Sequence, residues 1–211
     1  MTGATRAGWR PGMSPSAAVA TPGVRVVLDV RPLQDPERAP LTAAYLEGLL
    51  GALDADPLPG ESFTFLLASD LDDPTARWPN LDVVGRRLLP PTRLLRSGAL
   101  TVDPVLLRGA SLGAGWRAER DGAAGTVYHA AAGALPIGSR IAVVAVLLDL
   151  APWQLPGAYQ RGAAIRFGQR IRARLLKDAA AAIVPSKVAA GEARRLLRLR
   201  PSRIRIVPLA A

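Results

Sequence analysis

The chain has 211 residues, enough for one sizeable core, and its 49% hydrophobic content is too high for general disorder. It has no cysteine and one histidine, His129. That excludes a disulfide scaffold, a thiolate metal centre, a cysteine nucleophile and a multi-histidine metal site. The net charge of +10 comes almost wholly from arginine; it raises the prior for anionic partners, but an Arg-, Ala-, Gly- and Pro-rich composition is the stronger account of it. No apolar run approaches the ~20 residues needed to span a bilayer.

Residues 1–22 carry charges, Gly and Pro without a signal-type apolar block, and read as a flexible tail before one domain at 23–211. Val24 to Val30 is a β-branched run that predicts a buried first strand. A proline-rich loop, Arg31 to Pro40, leads to a helix from about Ala43 to Leu53, capped by Thr42. Ser62 to Ala68 and Leu81 to Gly85 predict two more strands. Beyond Pro90-Pro91 a helical turn is expected within Leu94 to Leu100, and a short helix from Asp103-Pro104 to Arg108. Gly113, Gly115, Gly122 and Gly125 predict a loose loop. Thr126 to His129 is strand-like. Ile141 to Leu148 (IAVVAVLL) has the pattern of a strand buried on both faces. A long helix from Ala158 to Ala179, a strand at Ala180 to Val184, a helix capped by Ser186 and a strand at Ile204 to Val207 complete the chain.

This alternation predicts an α/β fold: a Rossmann-like three-layer sandwich with a mainly parallel sheet, whose ligands sit beyond the carboxyl ends of the strands. No glycine-rich phosphate loop follows the first strand, since Asp29 to Gln34 reads DVRPLQ, and Walker A is absent. Asp29 beside Arg31 reads as a local ion pair or as a site residue. Asp149, after the strongest strand, reads as a ligand contact or general base, or as the cap of the Ala151-Pro152-Trp153 turn. His129 is an acid–base candidate or a structural hydrogen-bonding group. Arg166, Arg170 and Arg174 fall at i, i+4, i+8 beside an apolar stripe of Phe167, Ile171 and Leu175. They form either a solvated face or a ridge for an anionic membrane. Aromatics are not interleaved with them in the manner of a single-strand nucleic-acid binder.

The segments VRVVLDVRPL, LTAAYLEGLLGAL, VYH, IAVVAVLLDLAPWQLP, DAAAAIVPSKVAAGEARRLL and PSRIRIVPLA, in that order, resemble the opening half of family 4 glycosyltransferases from about Val24 to Pro208. Leu148 stands where that family has a His before Asp-Leu, and the Arg31–Pro40 loop lacks the family's glycines. The resemblance implies the N-terminal, acceptor-side domain of a two-domain GT-B transferase of hexosyltransferase type, with the donor-binding domain absent and the chain inactive alone. It implies acceptor contacts at Asp149, His129, Tyr45 and Ser186, and no cofactor or metal in this half. It also implies a glycan or lipid-linked sugar acceptor. The expected location is cytoplasmic, or peripheral at the membrane if the ridge of Arg166, Arg170 and Arg174 meets anionic lipid and is not a solvated face. No nucleic acid is expected. The alternative is a non-catalytic glycan- or protein-binding domain derived from such an enzyme.

Overall fold

The computed structural model describes residues 23–92, 99–131 and 133–209. The expected tail at 1–22, and most of the turn expected within Leu94 to Leu100, lie outside them. Seven strands form one sheet: β1 (Val24–Asp29), β2 (Glu61–Ala68), β3 (Val83–Leu89), β4 (Gly125–Ala131), β5 (Ala142–Val146), β6 (Ala181–Val184) and β7 (Ile204–Ile206). Their order is β3-β2-β1-β4-β5-β6-β7, and every neighbouring pair is parallel. This is the Rossmann-like α/β sheet that the alternation predicts. The helices are α1 (Arg31–Gln34), α2 (Pro40–Ala55), α3 (Ala99–Arg120), α4 (Ala151–Gln154), α5 (Pro156–Tyr159), α6 (Ala163–Asp178) and α7 (Lys187–Leu197).

Strand side chains alternate between two cores, as a period of two requires. On one face Val27, Leu66, Tyr128, Ala130, Val143, Ala145 and Val184 meet α3, α6 and α7 through Leu107, Ala110, Leu176, Ala193 and Leu197. On the other, Leu28, Val30, Phe63, Phe65, Leu67 and Ala131 meet α1 and α2 through Leu33, Ala43, Leu46 and Leu50. The chain runs outward from β1 through β2 to β3, then returns through α3 to β4 on the far side of β1. Connections between parallel strands keep one hand, so this reversal moves the helices from one face to the other. It also leaves the carboxyl ends of β1 and β4 uncovered between them.

Several elements differ from the sequence reading. Helix α2 starts earlier, at Pro40, with Ala39 and not Thr42 in the cap position and no capping side chain. Proline at the first position supplies the fixed φ that a helix start needs. Strand β3 runs to Leu89, well past Gly85. The loop expected at Gly113 and Gly115 is the middle of the 22-residue helix α3. These glycines serve close packing, because a Cβ on Gly113 would run into the Arg87 guanidinium and one on Gly115 would meet Ile141 at 3.0 Å. The long helix expected from Ala158 breaks at Gln160–Gly162 into α5 and α6, where Gly162 is the extended N-cap. Strand β5 is shorter than its apolar run. Ala142 is exposed and Val144 half-buried, and neither joins the core on the α2 face, so the strand is not buried on both faces.

Helix α6 meets α3 at Gly168, where a Cβ would lie 2.6 Å from Leu100 Cβ. Gly168→Ala is therefore expected to destabilise the fold by about 1–2 kcal/mol through overpacking. Gly191→Ala in α7, where a Cβ meets nothing within 4 Å, should stabilise it by about 0.5–1 kcal/mol through helix propensity. Urea unfolding midpoints of the two variants should move in opposite directions.

Candidate functional site

A crevice of about 570 Å³ opens at the switch between β1 and β4. Its walls come from the end of β1 (Asp29), the start of α1 (Arg31), the loop after β3 (Thr92), the start of α3 (Leu100, Asp103), the loop after β4 (Gly133, Ala134), and Tyr159, Ile165, Gln169 and Arg172 of α5 and α6.

Arg31 forms the floor. Its Nε and Nη2 donate to Asp29 Oδ1 (2.9 Å) and Oδ2 (2.7 Å), and Nη1 donates to Asp103 Oδ1 (2.9 Å) and Thr92 Oγ1 (3.1 Å). The Thr92 hydroxyl donates to Asp103 Oδ1 at 2.7 Å. The side chains of Arg31, Asp29 and Asp103 are only 14%, 10% and 16% exposed, so solvent screens the cluster weakly. Burial alone would lower the Arg31 pKa, but the two carboxylates reverse this and hold it above its ordinary value. Tyr128 lies fully buried beside the cluster with no hydrogen-bond partner for its hydroxyl. Burial, then Asp29, push its pKa well up.

Helix α6 supplies the opposite wall. Gln169 is 7% exposed, and its Oε1 has no hydrogen-bond partner. The Arg172 guanidinium lies 5.1 Å from the Trp153 ring centroid. Burial pushes its pKa down to about 10, and the charge of Asp149 offsets part of that shift. A crevice with a guanidinium, an amide and carboxylates on its walls suits a hydroxyl-bearing polar ligand.

The four candidates from the sequence lie outside the crevice lining, and only Tyr45 and His129 are brought together. Tyr45 and His129 form a pair on the α2 face, with Tyr45 Oη 3.0 Å from His129 Nε2 and the rings stacked 6.0 Å apart. His129 sits inside β4, two residues before its end. Burial pushes its pKa down to about 4 and that of Tyr45 up to about 12, so both are neutral at pH 7. Asp149 lies exposed after β5, where its Oδ1 accepts the Ala151 N–H at 2.7 Å, the turn-capping geometry. Ser186 caps α7, its hydroxyl accepting the Ala189 N–H at 3.1 Å.

Asp103, Gln169 and Arg172 escaped the sequence reading. Arg172 carried a signal, because Ile165, Gly168, Gln169, Arg172 and Leu176 recur at helical spacing and define the inward face of α6. Of the apolar stripe Phe167, Ile171 and Leu175, Leu175 packs against the core, Ile171 is half-buried, and Phe167 lies outside at 54% exposure.

No family model matches the chain, and no curated protein does. Among solved structures it is similar to one described as the glycotransferase of kitacinnamycin, at 10% identity and a TM-score of 0.39. The alignment covers 90% of this chain and 52% of that one, so this chain spans about half the length of that protein. No described helix is long and apolar enough to cross a membrane.

Two measurements test the site geometry. Arg31→Met leaves Asp29 and Asp103 buried without their cation and should destabilise the fold by about 3–5 kcal/mol in urea unfolding. His129 has a folded pKa depressed to about 4, so the unfolded chain takes the proton first on acidification. Stability from this group is complete above pH ~6.5, falls by up to about 3 kcal/mol towards pH 4, and then levels off. His129→Gln should flatten that part of the stability–pH curve, and an unchanged slope would assign it to other groups.

Proposed function

We propose that the chain is the acceptor-side domain of a glycosyltransferase, with the switch-point crevice receiving a glycan or lipid-linked sugar. The observation that carries this reading is the crevice itself. It lies where open parallel sheets bind ligands, and its walls offer a guanidinium at Arg172, an acceptor without a partner at Gln169 Oε1 and carboxylates at Asp29 and Asp103. Such groups match the hydroxyls of a sugar. The order of segments in the chain resembles the acceptor half of family 4 transferases and supports the same assignment.

The floor of the crevice argues against a nucleotide diphosphate at the end of β1. Phosphates in dinucleotide folds approach free backbone N–H groups on a glycine turn. Here the Arg31 N–H already donates to Asp29 Oδ1 at 3.2 Å, and two carboxylates stand beside it. The donor therefore belongs to a second domain facing the crevice. Transfer needs donor and acceptor held in near-attack geometry between the two, so this domain by itself is inactive.

One observation favours the second reading, a binding domain without catalysis. Asp29 and Asp103 are tied to Arg31, and Asp149 and Ser186 are occupied as caps. As an acceptor domain or as a glycan-binding domain the crevice binds a sugar, and as a protein-binding domain it does not. Calorimetry of residues 1–211 against oligosaccharides and nucleotide sugars should show glycan binding that Arg172→Met and Gln169→Ala each weaken about tenfold. Transfer from a nucleotide sugar by this chain alone, or tighter binding of nucleotide than of glycan, would overturn the assignment.

A further inference from the structure

The polar and apolar parts of the crevice are sorted by depth. In a parallel sheet the crossover helices run back from the carboxyl edge, so the first turns of α3 and α6 stand at the rim. Both helices place an apolar residue there and a polar one a turn further in. On α3 these are Leu100 and Asp103, and on α6 Ile165 and Gln169. The two helices meet at this level, since a Cβ on Gly168 would lie 2.6 Å from Leu100 Cβ. Leu71 and Pro91, from the loops after β2 and β3, and Tyr159 of α5 continue the apolar lining. Leu71, Pro91, Leu100 and Ile165 are half-buried and Tyr159 is 49% exposed, so together they form an apolar mouth that ligand can reach.

Charge narrows the choice of ligand. The ionisable side chains on the crevice walls are Asp29, Asp35 and Asp103 against Arg31, Arg38 and Arg172, so three negative charges balance three positive ones. The whole chain, by contrast, carries 27 basic and 17 acidic residues. A site for a diphosphate or another polyanion would concentrate that arginine surplus, and this crevice has none of it. Gln169, 7% exposed, has no partner for its Oε1. A buried acceptor of this kind costs free energy until a donor reaches it, and a neutral hydroxyl supplies one. The mouth makes the opposite demand. Hydroxyls of a second or third sugar ring there would lose water against Leu71, Pro91, Leu100 and Ile165, which offer no hydrogen bond from their side chains.

We propose that the crevice takes an uncharged amphiphile, a single hydroxyl-bearing head at Gln169 joined directly to an apolar body that fills the mouth. One helical turn, about 5.4 Å, separates the two zones, which leaves room for one sugar ring and none for a charged linker. The crevice volume of about 570 Å³ suits a ligand of that size. The acceptor is then a glycoside of an apolar alcohol, and neither an oligosaccharide nor a sugar carried on a diphosphate. That the head is a sugar rests on the function proposed above, whereas the apolar body does not.

Calorimetry of residues 1–211 tests this with methyl, butyl and hexyl glycosides of glucose, galactose and mannose, all below their micellar range, beside maltotriose, glucose 1-phosphate and hexanol. Affinity for the preferred glycoside should rise about three- to fourfold for each methylene that the mouth buries, and the hexyl form should exceed the methyl form by roughly tenfold or more. Ile165→Ser and Tyr159→Ala should each flatten that dependence on chain length. Gln169→Ala should lower affinity by about the same factor at every length. Trp116, 73% exposed on α3 and outside the crevice lining, controls for chance adsorption of alkyl chains, and Trp116→Ala should leave the dependence intact. The amphiphile is ruled out if affinity ignores chain length, or if maltotriose or glucose 1-phosphate binds more tightly than the hexyl glycoside. It is also ruled out if Trp116→Ala removes as much affinity as Ile165→Ser. Glycoside binding that ignores chain length but still needs Gln169 would leave the sugar site standing without its apolar mouth. Hexanol bound as tightly as the hexyl glycoside would sustain the mouth and sink the sugar reading.

Discussion

The Arg31 guanidinium, held between Asp29 and Asp103, is the interaction on which the rim of this sheet depends. It joins residues 72 positions apart and ties the end of β1 to the start of α3, with Thr92 as a further link. The reversal in strand order opens the sheet at this point, and an open crevice floor made of buried charges stands only if those charges satisfy one another. One arginine serves two carboxylates, and the Thr92 hydroxyl donates a further hydrogen bond to Asp103. The cost of removing these groups from water is met by close charge-assisted hydrogen bonds. The same cluster fills the place where other doubly wound folds present bare backbone to a phosphate, so the rim takes a different chemistry.

The two faces of the sheet have separate roles. On the α2 side, Tyr45 and His129 form a stacked, hydrogen-bonded pair that burial keeps neutral. A neutral pair of this kind fixes α2 against β4 and carries no charge into the crevice. On the α3 and α6 side, polar groups are brought to the wall: Gln169 with its carbonyl oxygen unmatched, and Arg172 under Trp153. Helix α6 is the element where core packing, the crevice wall and surface charge meet. Gly168 lets it approach α3, Leu176 anchors it in the core, and its outer arginines remain in solvent.

Much of the fold was legible in short stretches of sequence. The runs VRVVLDV, SFTFLLA and IAVVAVLL carry β-branched and apolar residues at strand length, and Ser186 sits where a helix must begin. Failures came where one residue type serves two physical purposes. Gly113 and Gly115 carry the usual loop signal, but they lie inside α3, where the missing side chains leave room for Arg87 and Ile141. Phe167 has the period of a core residue but lies on the outer face, because the inward positions belong to Gly168, Gln169 and Arg172. His129 marks no strand end, since hydrogen bonding to β5 carries β4 on to Ala131.

The candidate site was legible only in part. Asp29 and Arg31 are two residues apart, so their pairing follows from local geometry, and the capping geometry of Asp149 and Ser186 is equally local. The roles of Asp103, Gln169 and Arg172 depend on where α3 and α6 cross the open rim, which no neighbouring residue encodes. By itself the sequence determined the alternation of strands and helices, because side-chain period and capping act over a few residues. Only the tertiary structure decided which charges are buried together and which stay free. Burial and charge compensation are properties of the assembled sheet and its packed helices, reached only after distant segments have met.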